Sequence, residues 1–69
     1  MNYVIIIKEE CHGIIGIARD YASAIHFLIT EKWLDEDLWQ DSLHQTIEEF
    51  NENHGGILEL EIQEVYGVD

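Results

Sequence analysis

The residues of this 69-residue chain that could do chemistry are its histidines, its single cysteine, two serines and many carboxylates. Apart from the carboxylates, the candidate metal ligands are Cys11, His12, His26, His44 and His54. No two of them have the C-x-x-C or H-x-x-x-H spacing that places two ligands on one side of an element. The acidic segment 35–41 lacks the glycine and the bidentate glutamate of a calcium loop. The sequence therefore predicts no metal site and no cofactor.

The candidate nucleophiles, Cys11, Ser23 and Ser42, lack the surroundings that covalent catalysis needs. None of them lies in a nucleophile elbow or has a base at a paired spacing. A catalytic carboxylate needs a pocket that shifts its pKa, and so short a chain has little room for one. We therefore expect a protein that is not an enzyme.

The carboxylates are unevenly distributed, and this asymmetry is the strongest signal in the sequence. The net charge is −12; residues 1–32 hold four acids and three bases, whereas residues 33–69 hold eleven acids and no base. Phosphate contacts need clustered Lys and Arg, so the composition argues against direct binding to nucleic acid or to an anionic membrane. It favours a basic protein partner. The plainer alternative is that the acids only keep a small protein soluble.

Hydrophobic periodicity indicates the elements that must position these acids. It predicts strands at 3–8 and 13–19, helices at 21–33 and 37–54, and a half-buried strand at 57–66. Asp20 is a good N-cap for the first helix, and Asp37 with Gln40 resembles a capping box for the second. The predicted fold class is α+β in the order β-β-α-α-β, a three-stranded sheet packed on one face by two helices. We expect one domain over residues 1–69, with the first strand in the middle of the sheet.

The acids of the second predicted helix repeat with a regular spacing. On one continuous helix, the four carboxylates at positions 37, 41, 48 and 52 fall within about 60° and lie about 6, 10 and 6 Å apart along the axis. Glu59 and Glu61 repeat at about 6.7 Å on the last strand. Adjacent phosphates of a nucleic-acid strand have a similar separation, whereas an ordinary solvated helix face mixes Glu with Lys. The pattern therefore indicates acids that serve a partner.

The segment "WLDEDLW" at 33–39 alternates apolar side chains with acids, and two interpretations of it stay open. Trp33 or Leu38 is exposed and anchors a partner inside a charged rim, or all four apolar side chains close the end of the core. With Trp33 included, the expected partner-binding residues are Trp33, Asp35, Glu36, Asp37, Asp41, Glu48, Glu52, Glu59 and Glu61.

Two segments, "HGIIGIARDYASAIHFLITEKWL" at 12–34 and "EIQEVYG" at 61–67, are similar to small acidic proteins encoded by prophages of Gram-positive bacteria. That class includes anti-CRISPR inhibitors, several of which are acidic DNA mimics that occupy the DNA-binding surface of a type II CRISPR nuclease. The resemblance implies an inhibitor of this kind. The charge is compatible with it, because such nucleases read a short duplex motif through Arg side chains and hold their heteroduplex in a basic channel.

These observations lead to one leading expectation and two alternatives. We expect a non-enzymatic, phage-type inhibitor whose acidic, DNA-mimicking face binds a basic nucleic-acid-binding host protein, with a type II CRISPR nuclease as the favoured target. The alternatives are an acidic adaptor or subunit of a phage or host assembly, and a homo-oligomer whose acids merely face outwards. A lone cysteine and no targeting or membrane-spanning segment indicate the bacterial cytoplasm. The limited core of so short a chain makes a homodimer an expected state.

Overall fold

The computed structural model describes residues 2–65, and its strands form one antiparallel sheet. The strands are β1 (Asn2–Glu9), β2 (Gly13–Ala18) and β3 (Leu58–Val65), in the order β2-β1-β3. The helices are α1 (Tyr21–Thr30), α2 (Trp39–Leu43) and α3 (Ile47–Asn53), with a 3₁₀ turn at Glu36–Leu38 before α2. The expected α+β class and the central position of the first strand are confirmed. Tyr66, the predicted last residue of the third strand, lies outside the described residues.

Helix α1 begins where the sequence predicts and ends earlier. The Asp20 carboxylate accepts a hydrogen bond from the Ser23 N–H at 2.8 Å, as expected of an N-cap. At the other end Lys32 adopts φ +65°. The Lys32 N–H donates to the Ile29 carbonyl at 3.1 Å, and the Trp33 N–H donates to the Leu28 carbonyl at 2.8 Å. This is the Schellman arrangement, with a lysine in the left-handed position that glycine usually holds.

The single second helix predicted from residue 37 to residue 54 is wrong, because the chain breaks between α2 and α3. Thr46 is the N-cap of α3, and its hydroxyl accepts from the Glu49 N–H at 3.1 Å. The Glu49 carboxylate accepts from the Thr46 N–H at 3.0 Å, which completes a capping box. This local pairing satisfies amides that a continuous helix would bond elsewhere. The capping box expected at Asp37 and Gln40 does not form; Asp35 precedes the 3₁₀ turn and makes no side-chain cap.

The helices cover one face of the sheet, and the core lies between the two layers. Its buried side chains are Ile5, Ile7, Ala18, Ala24, Ile25, Leu28, Leu34, Phe50, Leu58 and Leu60. Gly16 allows α1 to approach β2 closely, because a Cβ on it would lie 2.8 Å from Cζ of Phe27. The core is small, as expected for a chain of this length.

None of the described helices lies on the opposite face of the sheet, which is called the outer sheet face below. Its side chains alternate along each strand with the buried ones. A bulge at Ile15 interrupts the β1–β2 ladder, since Ile7 pairs with Gly16 but Lys8 pairs with Ile14. Ile15 packs against the core, and the ladder on either side of it keeps the outer residues in line. The outer sheet face consists of Asn2, Val4, Ile6, Lys8, Ile14, Ile17, Glu59, Glu61, Gln63 and Val65.

One side chain ties α3 to the free edge of β3. The Asn51 amide donates to the Leu60 carbonyl at 2.9 Å, and its oxygen accepts from the Leu60 N–H at 2.8 Å. Leu60 lies opposite Ile7 of β1, and because both of its backbone groups bond to Asn51, they point away from β1 towards the edge. Asn51 therefore fills, at this residue, the hydrogen-bonding place of a fourth strand.

Candidate functional site

All seven acids between residues 33 and 54 are exposed. The six whose side chains take no part in a helix cap are called the helix-side acids below. They are Asp35, Glu36, Asp37, Asp41, Glu48 and Glu52. The contacts between a basic side chain and a carboxylate found among residues 2–65 join Lys8 to Glu61, His12 to Glu9 and Arg19 to Asp20. Within the part of the chain that is described, no base therefore neutralises the helix-side acids.

The seventh acid of this stretch, Glu49, has a structural role. Besides the capping box with Thr46, its charge acts on Tyr21, whose hydroxyl donates to the Ser42 carbonyl at 2.6 Å. Burial raises the pKa of Tyr21, and the nearby Glu49 carboxylate raises it further. Glu49 thus helps to fix the junction of the helices, whereas no comparable contact of the helix-side acids is found within residues 2–65.

The helix-side acids do not form the continuous row that the sequence suggests. Asp37 and Asp41 belong to the 3₁₀ turn and α2, whereas Glu48 and Glu52 belong to α3. The axis is interrupted between them at residues 44–46, so the regular rise from position 41 to position 48 is absent. Within α3, Glu48 and Glu52 keep the one-turn spacing of about 6 Å. They line a shallow depression together with Glu49 and Asn51.

The two acids of β3 lie on another surface. Glu59 and Glu61 alternate with the buried Leu58 and Leu60, so they project from the outer sheet face, away from the helices. The Glu61 carboxylate lies 2.9 Å from Nζ of Lys8. This hydrogen bond, and the charge of Glu61, hold the pKa of Lys8 above its ordinary value. The structure therefore divides the nine predicted residues between the helix side and the outer sheet face.

Of the four apolar residues of the segment 33–39, three pack against the core and one is exposed beside the acids. Leu34 is buried, and Trp33 and Trp39 are half-buried against the core. The Trp33 ring meets the His12 ring edge-on, with 5.5 Å between centroids, and Trp39 meets His26 in the same way at 5.9 Å. Leu38 is 37% exposed beside the acids. The tryptophans therefore close the end of the core with part of each ring accessible, and Leu38 is the exposed apolar neighbour of the helix-side acids.

The β1–β2 turn is organised by a carboxylate that the sequence analysis did not single out. The Glu9 carboxylate accepts from the Cys11 and His12 N–H groups at 2.9 Å each and lies 2.5 Å from Nδ1 of His12. The His12 hydrogen bond, aided by the two N–H donors, holds the pKa of Glu9 below its ordinary value. An acid placed just before a glycine-containing turn was the available signal. Cys11 is an exposed free thiol.

Neither a metal centre nor a membrane span is found within residues 2–65. No group of three or more His, Cys, Asp or Glu side chains in this range is placed to hold a metal ion. None of the helices described has the length and apolar content needed to cross a bilayer. The role of the acidic surface has to be inferred from the chain itself, because comparisons with protein-family models, with curated proteins and with solved structures find no match.

Proposed function

We propose that this chain is a non-enzymatic binding protein whose helix-side acids contact a basic, nucleic-acid-binding host protein and keep nucleic acid from it. The observation that carries the proposal is the set of six exposed carboxylates with no base among them. The sequence resembles small acidic prophage proteins, a class that includes inhibitors of CRISPR nucleases. A type II CRISPR nuclease is therefore the favoured target. Such a target places the activity in the bacterial cytoplasm.

The proposal is supported by how the chain uses its other acids. Glu9 holds a turn, Asp20 and Glu49 cap helices, and Glu61 pairs with Lys8. No such role of the helix-side acids is found in the described part of the chain. They repel one another, whereas mixed Glu and Lys would stabilise each helix by a few tenths of a kcal/mol per pair. A locally unfavourable choice without internal compensation is typical of a functional surface. A partner rich in Lys and Arg would supply the missing charge.

Leu38 gives the proposed surface a short apolar centre. It is partly exposed between Asp37 and Trp39, with Asp41 one turn further on. Interfaces commonly combine a few apolar contacts, from which water is excluded, with a charged rim. The acids would speed encounter with a basic partner, and Leu38 with the accessible part of Trp33 would contribute to the lifetime of the complex.

The break between α2 and α3 favours a second candidate function. Mimicry of a phosphate row relies on regular spacing over several carboxylates, and the interruption at residues 44–46 leaves only two short pairs. An acidic adaptor that joins a basic protein to an assembly needs the charge without that spacing. The two candidates differ in one observable, which is whether the partner can hold nucleic acid and this chain together.

A competition titration tests the proposal. A guide-loaded type II CRISPR nuclease is given a labelled duplex that carries its recognition motif, and this chain is added at about 50 mM and about 200 mM salt. We expect the wild type to displace the duplex, more weakly at the higher salt. The variant Asp37→Lys/Asp41→Lys should bind at least about tenfold more weakly, a change of about 1.4 kcal/mol or more.

The matched control is Glu10→Lys/Glu31→Lys, which changes the net charge equally at two exposed positions of the other half of the chain. Glu9 is unsuitable as a control because it holds the β1–β2 turn. If both variants lose the same affinity, the effect depends only on net charge, and the helix-side acids are not the specific contact surface. If the nuclease binds the duplex and this chain at the same time, the adaptor function is supported and inhibition by competition is refuted. Absence of binding to the nuclease would remove this target.

A further inference from the structure

The outer sheet face is unusually apolar for a face that none of the helices within residues 2–65 covers. Antiparallel sheets that face water on one side normally alternate apolar residues with polar ones. Here Ile14 and Ile17 of β2 are 60% and 65% exposed, and they adjoin the half-buried Val4 and Ile6 of β1. The β1–β2 half of the face, about six residues long and two strands wide, covers about 20 by 10 Å and is apolar apart from Lys8. Contiguous exposed apolar patches on a protein surface often mark interaction sites.

The charges around this patch differ from those of the helix side. Two of the three bases of the chain are here: Lys8 on the face itself and Arg19 directly after β2. The acids of the face are confined to β3, where Glu61 already pairs with Lys8. The β1–β2 half is therefore apolar and close to neutral, in a molecule whose net charge is −12. A strongly basic partner would find little to attract it to this half.

We infer that the β1–β2 half of the outer sheet face is the contact surface for a second copy of this chain. A two-fold axis parallel to the strands, between β1 and β2, lays β2 of each copy over β1 of the other. By the β1–β2 register, Ile17 of each copy then lies over Ile6 of the other, and Ile14 lies over the aliphatic stem of the other copy's Lys8, as in aligned sheet packing. Both β3 strands stay at the rim, with Glu61 on the side where the other copy's Arg19 lies. The helix-side acids of the two copies face away from each other.

The sheet edges are less suitable for self-association than this face. Asn51 occupies the edge of β3 at Leu60. The edge strand β2 has six residues and carries the bulge at Ile15. Short and bulged edges discourage the addition of another strand. Stacking of faces needs no free backbone groups, and it covers the isoleucines that edge pairing would leave exposed.

The inference does not depend on the proposed function, and the oligomeric state of the full chain tests it. Sedimentation is measured from about 5 µM to about 500 µM, because a patch well below the usual ~800 Å² per partner predicts micromolar association. We expect the mass to rise from 8.1 kDa towards twice that value. Added salt should preserve or strengthen the dimer, since it screens the repulsion between two acidic chains.

Two variants with similar exposure on opposite faces make the test specific. Ile17→Glu should abolish the dimer, whereas Ile62→Glu should leave it intact, because Ile62 is 55% exposed on the helix face of β3. Circular dichroism checks that each variant folds, and Ile17→Thr replaces Ile17→Glu if the latter does not. A monomer at every concentration would overturn the inference. Loss of the dimer in Ile62→Glu alone would place the contact on the other face and overturn it equally.

Discussion

Replacing Asn51 by alanine removes both hydrogen bonds that tie α3 to β3. Leu60 is 2% exposed, so its N–H and carbonyl groups lose partners in a poorly hydrated place. At about 1 kcal/mol for each hydrogen bond, the loss is about 2 kcal/mol. Alanine is the better helix former and returns about 0.5 kcal/mol. We therefore expect Asn51→Ala to lower the free energy of unfolding by about 1.5 kcal/mol.

That loss is large for a domain of this size. A chain of 69 residues is expected to have a free energy of unfolding of about 3.5–10 kcal/mol in all. The change should lower the midpoint of thermal unfolding by roughly 6–12 °C. Urea titration followed by circular dichroism measures the free energy, and the slope with urea should stay unchanged if the native fold is retained.

Asn53→Ala is the matched control for Asn51→Ala. Asn53 is an exposed residue of the same helix, and no hydrogen bond of its side chain is found in the described structure. Its replacement should change stability by less than about 0.5 kcal/mol. If the two alanine variants unfold at the same urea concentration, the Asn51–Leu60 pairing contributes nothing and the explanation of how α3 is held is wrong.

Two further predictions concern backbone strain and pH. Lys32→Gly should raise the free energy of unfolding by about 0.5–1 kcal/mol, because Lys32 has φ +65°, whereas Lys32→Ala, which removes the same charge, should give no gain in the same urea titration. Glu9 has a lowered pKa, so its stabilising contribution is present above its unfolded pKa and is lost as the pH falls through the folded value. Wild-type stability should therefore fall on acidification below about pH 5, and Glu9→Gln, but not Glu10→Gln, should flatten that fall in thermal melts recorded as a function of pH.

The strands could be predicted because their signals are local and agree with one another. The run at residues 3–8 is apolar on both faces, as a central strand requires, and the alternation around Leu58 and Leu60 identifies a half-buried one. The start of α1 follows from Asp20 in the same way. In each case the local sequence favours the same backbone conformation that the residue has in the complete fold.

The ends and breaks of the helices were harder to predict, for different reasons. Helix α1 stops at a lysine in the left-handed region, and no glycine marks the place. The Thr46-x-x-Glu49 spacing does indicate the break before α3. The apolar residues before and after the break, however, lie on one continuous helical stripe, which favours a single helix. Hydrophobic periodicity alone does not reveal a short break when the apolar residues of the next helix continue the same stripe.

For the candidate site, exposure could be predicted and arrangement could not. The acids opposite the apolar stripe are exposed, as their positions indicate. Whether they form one surface depends on which face of the sheet the helices cover and on the break at residues 44–46. Glu59 and Glu61 share the sign of the helix-side acids but lie on the other side of β3. The hydrogen bonds of Asn51 to Leu60 depend on tertiary geometry that spacing does not encode.

The brevity of α2 and α3 has a consequence for their dynamics. Helices of five and seven residues are far below the length that persists alone in water, so both exist only while docked on the rest of the fold. Repulsion among the helix-side acids favours transient undocking, and amide hydrogens of this segment should exchange through local opening before those of β1. A cation that neutralises the acids removes this tendency. Binding of the proposed basic partner to these acids would thus make α2 and α3 less prone to local opening.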